Sequence, residues 1–443
     1  MIVFAEQLTP RLKYVTAFIG TQLHGAEWEL TTDVSLYKAH PSARINYSNT
    51  PVAEREIRIE PQGLLAAKDI SKQEIDISPD DPQFRFFRNN SDTGFDIFSA
   101  VFYLISRYEE YLPHQEDEYG RYAHSNSVAF VYGFLHRPLA DEWLLGLKQQ
   151  LGSAFPDEQL LYQPAFRLLP TYDIDIAWSY RAKGWKRTLG GLARSLVTGK
   201  GFGPRLATLL NKKADPFDSF SWLDELHQKY HLKPRYFFLL AGRQGIYDRN
   251  NDPSGSPMKT LVRQLSAKYV TGIHPSWRSG DEPGLVAKEI AHLEQLAGYK
   301  PDSSRQHYIR FKLPGTYRRL EELGITHDYS MGYGSINGFR ASTSFPFYWY
   351  DLEKDCTSSV MLHPFCFMDA NSYYEQRQDT GTAFLEMTGY YERVRRVNGT
   401  MIMIWHNHFL GTDPAFDGWN TIYEEFIRQA NTPGSLLQQA GAT

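Results

Sequence analysis

The chain carries its candidate chemistry in four short clusters. The first is Thr171-Tyr172-Asp173-Ile174-Asp175, with two carboxylates two residues apart. Side chains alternate along a strand, so Asp173 and Asp175 would share one face. Two carboxylates held together invite a metal ion or a perturbed pKa, although such a pair can also simply cap backbone amides. The second cluster is Gly272-Ile273-His274-Pro275-Ser276-Trp277, where a histidine directly follows an apolar run. A lone histidine is commonly structural, but neutral imidazole beside carboxylates is a standard way to hold a divalent ion such as zinc. In the third, Tyr308-Ile309-Arg310-Phe311-Lys312-Leu313-Pro314, the fork of Arg310 could orient a carboxylate. The fourth is Trp405-His406-Asn407-His408, whose two histidines would share a strand face.

The elements that must position these clusters alternate between strand and helix. Apolar runs at 166–171, 235–240, 269–273, 308–311, 360–363 and 401–405 read as strands. Helical spacing marks 220–230, 258–267, 282–296, 316–323 and 382–397. This alternation predicts a parallel sheet, wound or closed, with helices outside. Chemistry in such folds gathers where strands end. All four clusters fall at predicted carboxyl ends, which makes coincidence a poor explanation. The first part reads differently. It opens with a strand at 2–4 and a helix from Thr9-Pro10 to about Phe18, and polar, Pro-punctuated strands follow to about residue 90. Asp96 is the expected cap of an amphipathic helix that Pro113 stops. Its run Arg107-Tyr108-Glu109-Glu110-Tyr111 could be a catalytic carboxylate pair, but adjacent helical residues diverge by about 100°, so a solvated face is expected. Residues 155–164 read as a linker.

In this order, T-Y-D-I-D, G-I-H-P-S, R-F-K-L-P-G and I-W-H-N resemble the polysaccharide deacetylase family, carbohydrate esterase family 4, over about residues 165–430. Asp328-Tyr329-Ser330-Met331-Gly332-Tyr333, Gly338-Phe339-Arg340-Ala341 and the helix at 95–112 resemble an uncharacterised bacterial branch with an extra N-terminal domain. The resemblance implies an α/β protein. A distorted seven-stranded (β/α) barrel at 165–435 would follow a smaller α/β domain, residues 1–160, of unknown role. It also implies that Asp173 is a general base, Asp175 and His274 are metal ligands, and His406 is a general acid. Arg310 would orient Asp173. The implied reaction removes N-acetyl groups from a sugar or glycan with a divalent ion, zinc by ligand type. Two positions depart from the family. Arg278 stands where a second motif histidine is usual, and Gly315 follows Pro314 where an aromatic is usual. His363 and His408 are candidates for the replacement ligand.

Length and composition limit the alternatives. At 443 residues the chain predicts two or three domains, and 42% hydrophobic with 22% charged residues excludes disorder. A net charge of −4 argues against a nucleic-acid partner. Cys356 and Cys366 have no C-x-x-C spacing, so a thiolate zinc site or disulfide framework is not expected. The apolar start ends at Glu6, short of a signal core, so a cytoplasmic location is expected. The Gly-rich run Thr198 to Gly203 lacks Ser or Thr after Lys200, which argues against a nucleotide site, and no Gly-x-Ser-x-Gly elbow appears. Two other readings remain: an amidohydrolase acting on a small non-sugar amide, and an inactive carbohydrate-binding or assembly protein, which Arg278 favours. Finally, residues 181–213 are basic and free of Asp and Glu, with Trp185, Leu189, Leu192 and Leu196 at helical spacing. That stretch reads as a packed insertion or as peripheral contact with an anionic membrane surface.

Overall fold

The structure, a computed structural model, describes residues 1–157, 162, 164–198 and 202–432. Its first sheet begins with the buried strand Ile2–Ala5 (β1), which pairs in parallel with Glu29–Thr31 (β2) and Arg44–Tyr47 (β3). Ile57–Arg58 (β4) completes the order β2-β1-β3-β4. Parallel neighbours need a crossover, and helix Pro10–His24 provides the first one. The Thr9 side chain accepts from the Leu12 amide at its start, and Gly25, at φ 72°, ends it. This helix passes Phe18, where an end was predicted, because Ile19 and Leu23 continue the buried stripe. The strands expected onward to residue 90 are not formed. From Gln62 to Phe95 the chain makes turns and loops with one isolated bridge. Pro79 and Pro82 fall there, and proline removes the donor a ladder needs.

The second sheet contains Arg167–Ile174 (β5), Arg235–Phe238 (β6), Val270–Ile273 (β7), Ser303–Ser304 (β8) and His327–Asp328 (β9). Phe347–Asp351 (β10), Cys356–Leu362 (β11), Phe367–Met368 (β12) and Thr400–His406 (β13) follow in the chain. Their order is β10-β11-β9-β8-β7-β6-β5-β13-β12. Every pairing is parallel except the β10–β11 hairpin. The seven-stranded barrel expected from the sequence is therefore an open ladder of nine strands, with β10 and β12 as its edges among the described residues. The strand expected at 308–311 is also displaced. Tyr308 and Ile309 adopt φ of 59° and 54°, a left-handed turn, and the strand is the two-residue β8 before it. On β7, Gly272 is required by close approach, since a Cβ there would lie 2.6 Å from the Ser303 carbonyl and 2.7 Å from the Phe237 ring.

The Arg107–Tyr111 run is buried, not solvated. The helix capped by Asp96 ends at Ile105, and Arg107 turns the chain through φ 55°. Both carboxylates then point inward. Arg107 Nε and Arg340 Nε donate to Glu110 Oε1 at 2.7 and 2.8 Å, and Arg340 Nη2 donates to Oε2 at 2.6 Å. Glu109 accepts from Arg107 Nη2 at 2.7 Å and from the Val128 amide at 2.9 Å. This network joins the chain before residue 157 to the segment between β9 and β10. In the basic stretch, helices Trp185–Thr198 and Phe202–Leu209 form, while Lys200 and its neighbouring glycines lie outside the described residues. Of that apolar stripe Leu189 and Leu196 are exposed and Leu192 is half-buried, and Val197 beside it is exposed.

Burial alone would raise the Glu110 pKa, but Arg340 and Arg107 together lower it from 4.5 to about 2. Its ionisation therefore stabilises the fold above about pH 4.5, and that contribution is lost as pH falls toward about 2. Glu110→Gln leaves two buried guanidinium groups under-compensated and should cost about 3–5 kcal/mol at neutral pH. Chemical denaturation at neutral and acid pH checks this; the gap between variant and wild type should narrow below pH 4.5.

Candidate active site

Parallel strands bring their carboxyl ends to one rim of the sheet, and the candidate residues meet there. On β5, Tyr172 and Ile174 pack outward, where the Tyr172 hydroxyl meets His227 Nε2 at 2.7 Å. Thr171 and Asp173 take the opposite face, and Asp175 follows the strand. His406 ends β13 in register with Asp173. His274 follows β7, His307 follows β8, Asp248 lies in the loop after β6, and Asp369 follows β12. Asp173, Asp175, His274, His307 and His406 line a cavity of about 500 Å³.

Asp175 is the centre of the arrangement. His274 Nε2 is 3.3 Å from its Oδ1, and Nε2 of His307 and His406 are 3.7 and 3.6 Å from its Oδ2. Oδ1 is buried without a hydrogen-bond partner among the described residues. The other nitrogen of each ring is engaged. His274 Nδ1 donates to the Arg305 carbonyl at 2.6 Å, which leaves Nε2 as the lone-pair nitrogen of the neutral ring. His307 Nδ1 is 3.1 Å from Asp248 Oδ1, and Asp248 also accepts from the Trp277 and Arg278 amides. His406 Nδ1 is 2.7 Å from Asp369 Oδ1, while its amide donates to Oδ2 at 2.7 Å.

The electrostatics follow from these contacts. Burial opposes ionisation of Asp175, yet His307, His274 and His406 hold its carboxyl well below the usual range. Burial also disfavours charge on the histidines, but Asp175 and Asp248 push His307 up to about 9. Asp369 and then Asp175 push His406 up to about 10.

Asp175, His274 and His307 each offer one ligand atom, all within 4.8 Å of one another. A tetrahedral ion with bonds of ~2.1 Å separates its ligand atoms by about 3.4 Å, close to the Asp175–His274 spacing. Rings whose Nδ1–H is fixed by a carbonyl or carboxylate are typical metal ligands. With an orphaned carboxylate oxygen between them, the donor set fits a divalent ion.

Arg310 does not reach Asp173. Its Nη2 donates to Asp281 at 2.8 Å, and its guanidinium lies over Trp277. The left-handed turn at Tyr308–Ile309 redirects the chain before Arg310, so the group on Asp173 comes from Arg305, whose Nη1 donates to Oδ1 at 2.7 Å. Nor does the additional histidine come from the expected places. Arg278 pairs with Glu282; His363 is beside His327, stacked on Tyr329; and the His408 ring is 5.4 Å from that of His406. The sequence signal for His307 was the run Arg305-Gln306-His307, which a strand at 308–311 puts before its strand rather than after it.

Comparison with known proteins adds the following. Residues 1–156 match the model of a family of unknown function, DUF7033. No curated protein matches the chain. It is similar to a solved Mycobacterium smegmatis protein described as a polysaccharide deacetylase, at 13% identity, covering 63% of this chain and 90% of that one, with a TM-score of 0.40. It is also similar to Puue allantoinase, at 12% identity, covering 62% and 89%, with a TM-score of 0.39. A Pseudomonas aeruginosa PAO1 protein described as a polysaccharide deacetylase shows 11% identity, 62% and 90% coverage and a TM-score of 0.39. Likeness this distant leaves the chemistry to be argued from the side chains.

The ligand assignment has a direct check. Purified protein loaded with zinc should hold about one ion per chain, and Asp175→Ala, His274→Ala and His307→Ala should each lose most of it. Arg310→Ala should retain it. Elemental analysis of the four variants beside wild type decides the matter, and full metal in His307→Ala would remove that ligand.

Proposed function

We propose that the chain is a metal-dependent hydrolase that removes the N-acetyl group of a sugar or glycan. One observation carries the reading: a half-buried carboxylate faces two oriented imidazoles, with an arginine-held carboxylate and a carboxylate-held histidine on either side. Asp175, His274 and His307 would hold the ion, and a carboxylate with two imidazoles and an open position suits zinc. A divalent ion held there would polarise an amide carbonyl and would lower the pKa of water from 15.7 to about 7.

The remaining roles belong to this chain's own groups. Asp173 Oδ1 is occupied by Arg305, and Oδ2 is 3.7 Å from His274 Nε2. Asp173 accepts the proton of the attacking water through that second oxygen. Arg305 is held in turn by Thr171 Oγ1 at 2.7 Å and the Tyr329 carbonyl at 3.0 Å, so the orientation of Asp173 is fixed before substrate arrives. His406 supplies the proton that the departing amine needs, since an amide C–N bond does not break to a free amide anion. Asp369 orients that ring and favours its protonated form. His307 supplies an imidazole where Arg278 replaces the family's second motif histidine, which removes the main argument for an inactive protein. In this reading residues 165–435 carry the chemistry and residues 1–160 brace it. The exposed Leu189, Leu196 and Val197 with their basic neighbours support peripheral contact with an anionic surface.

Acetate release from N-acetylglucosamine oligomers, with a small N-acetyl amide in parallel, tests the reading. Chelation should abolish turnover and added zinc should restore it. Asp173→Asn should keep the metal and lose about 10²–10⁴-fold in kcat. Undiminished turnover in Asp173→Asn would assign the base elsewhere, and hydrolysis of the small amide alone would change the substrate class. Co-sedimentation with anionic and neutral vesicles at low and high salt tests the surface contact. Binding should require anionic lipid and fall with salt, because the Debye length is about 10 Å at 0.1 M.

A further inference from the structure

The cavity above Asp175 has one wall that the hydrolytic roles do not use. Tyr247 and Tyr308 line it, and so do Tyr119 and Arg121, which come from the chain before residue 157. Those two residues sit on a tight hairpin closed by the bridge between Glu116 and Tyr122. Asp117 shapes its turn, with Oδ1 accepting the Tyr119 and Arg121 amides at 3.0 Å. The Arg121 side chain is buried. It donates to Asp117 Oδ2 and to the Tyr308 carbonyl, both at 2.7 Å, and its guanidinium lies 4.6 Å from the centre of the Tyr119 ring. Gly334 leaves room for this contact, since a Cβ there would meet Arg121 and lie 2.7 Å from the Tyr308 carbonyl.

The rings form a continuous path outward from the ligand histidines. The Tyr308 ring centre is 4.7 Å from that of His307, and Tyr119 is 5.4 Å from Tyr308. Tyr119 also packs edge-on to Tyr247 at 6.0 Å, and Trp277 stacks behind Tyr247 at 4.2 Å. A pyranose offers an apolar C–H face ringed by hydroxyls, and a tyrosine offers an apolar body with a polar tip. The hydroxyls of Tyr119, Tyr247 and Tyr308 have no protein partner among the described residues, so they are available to sugar hydroxyls. Tyr119 stands one ring further from Asp175 than Tyr308 does.

We propose that the 116–122 hairpin is a recognition element of this site, with Tyr119 receiving the sugar unit next to the acetylated one. The inference rests on the hydrolytic reading above and deepens it to an oligosaccharide substrate. Arg121 is the positioning residue: it ties the hairpin to the left-handed turn that presents His307 and Tyr308. Tyr119 touches the substrate beyond the reacting group, so it governs chain-length preference and not the chemical step.

Binding of N-acetylglucosamine and of its β-1,4-linked tetramer is measured by titration calorimetry on zinc-loaded full-length Asp173→Asn protein, so that ligand is not consumed. The same protein carrying Tyr119→Ala or Tyr119→Phe is compared with it, and bound metal is counted in each. Tyr119→Ala should weaken the tetramer by about 3- to 10-fold and leave the monomer and the metal content unchanged. Tyr119→Phe keeps the ring and should retain most of the tetramer affinity. Unchanged tetramer affinity in Tyr119→Ala, or equal losses for monomer and tetramer, overturns the inference and leaves the hydrolytic reading standing. If the parent protein binds neither saccharide while holding metal, the sugar reading fails and the inference falls with it.

Discussion

Asp175 imposes the constraint that organises this molecule. One oxygen of its carboxylate, Oδ1, is enclosed and has no donor among the described residues. A buried charge of that kind is costly unless cationic or metal partners surround it. His307 and His406 answer the need, each presenting Nε2 within 3.7 Å of the carboxylate. These two rings and that of His274 are fixed from behind by a carboxylate or a carbonyl, so the demand of one oxygen pair spreads through Arg305, Asp248 and Asp369.

That spread is possible because the strands are parallel. β5 lies between β13 and β6, and register pairs Asp173 with both His406 and Phe237. Loops leaving β6, β7, β8 and β12 reach the same rim. Arg305 shows how tightly this is coupled: its carbonyl sets the tautomer of His274, while its guanidinium holds Asp173. One residue thereby links a proposed ligand to the proposed proton acceptor, and the ring of Phe237 packs under that guanidinium at 4.4 Å.

The first part of the chain is tied to the rest by polar contacts at both ends of the second sheet. Glu110 is held by Arg107 and Arg340, and Asp141 accepts from the Ser344 amide and hydroxyl at 2.7 and 2.6 Å. Arg11 pairs with Asp355 at 3.0 Å, and Arg121 reaches the Tyr308 carbonyl beside His307. All of these contacts except Arg107–Glu110 join residues more than 180 apart in the chain. The β9–β10 segment and the His307 turn depend on partners from before residue 157.

What the sequence determined by itself was the local pattern. Alternating apolar and helical spacing identified β5, β6, β7, β11 and β13 with their intervening helices, because long apolar strands and amphipathic helices carry their periodicity in the residues themselves. It also put Asp173, Asp175, His274 and His406 at strand ends, where the structure brings them together. Tertiary structure decided the rest. β8 and β9 are two residues each, too short for any period, so neither Arg305 nor His307 is recognisable as a strand-end group; Arg310 takes the place of the first in the sequence reading, and His363 and His408 that of the second. Asp248 and Asp369 lie in loops, where nothing local distinguishes a carboxylate behind an imidazole from one facing solvent. The Arg107–Glu110 run looked solvated because charged residues on a helix usually are; only Arg340, distant in the chain, makes its burial tolerable. Periodicity records which way a residue faces, whereas the partner that compensates a buried charge is fixed by packing between distant segments.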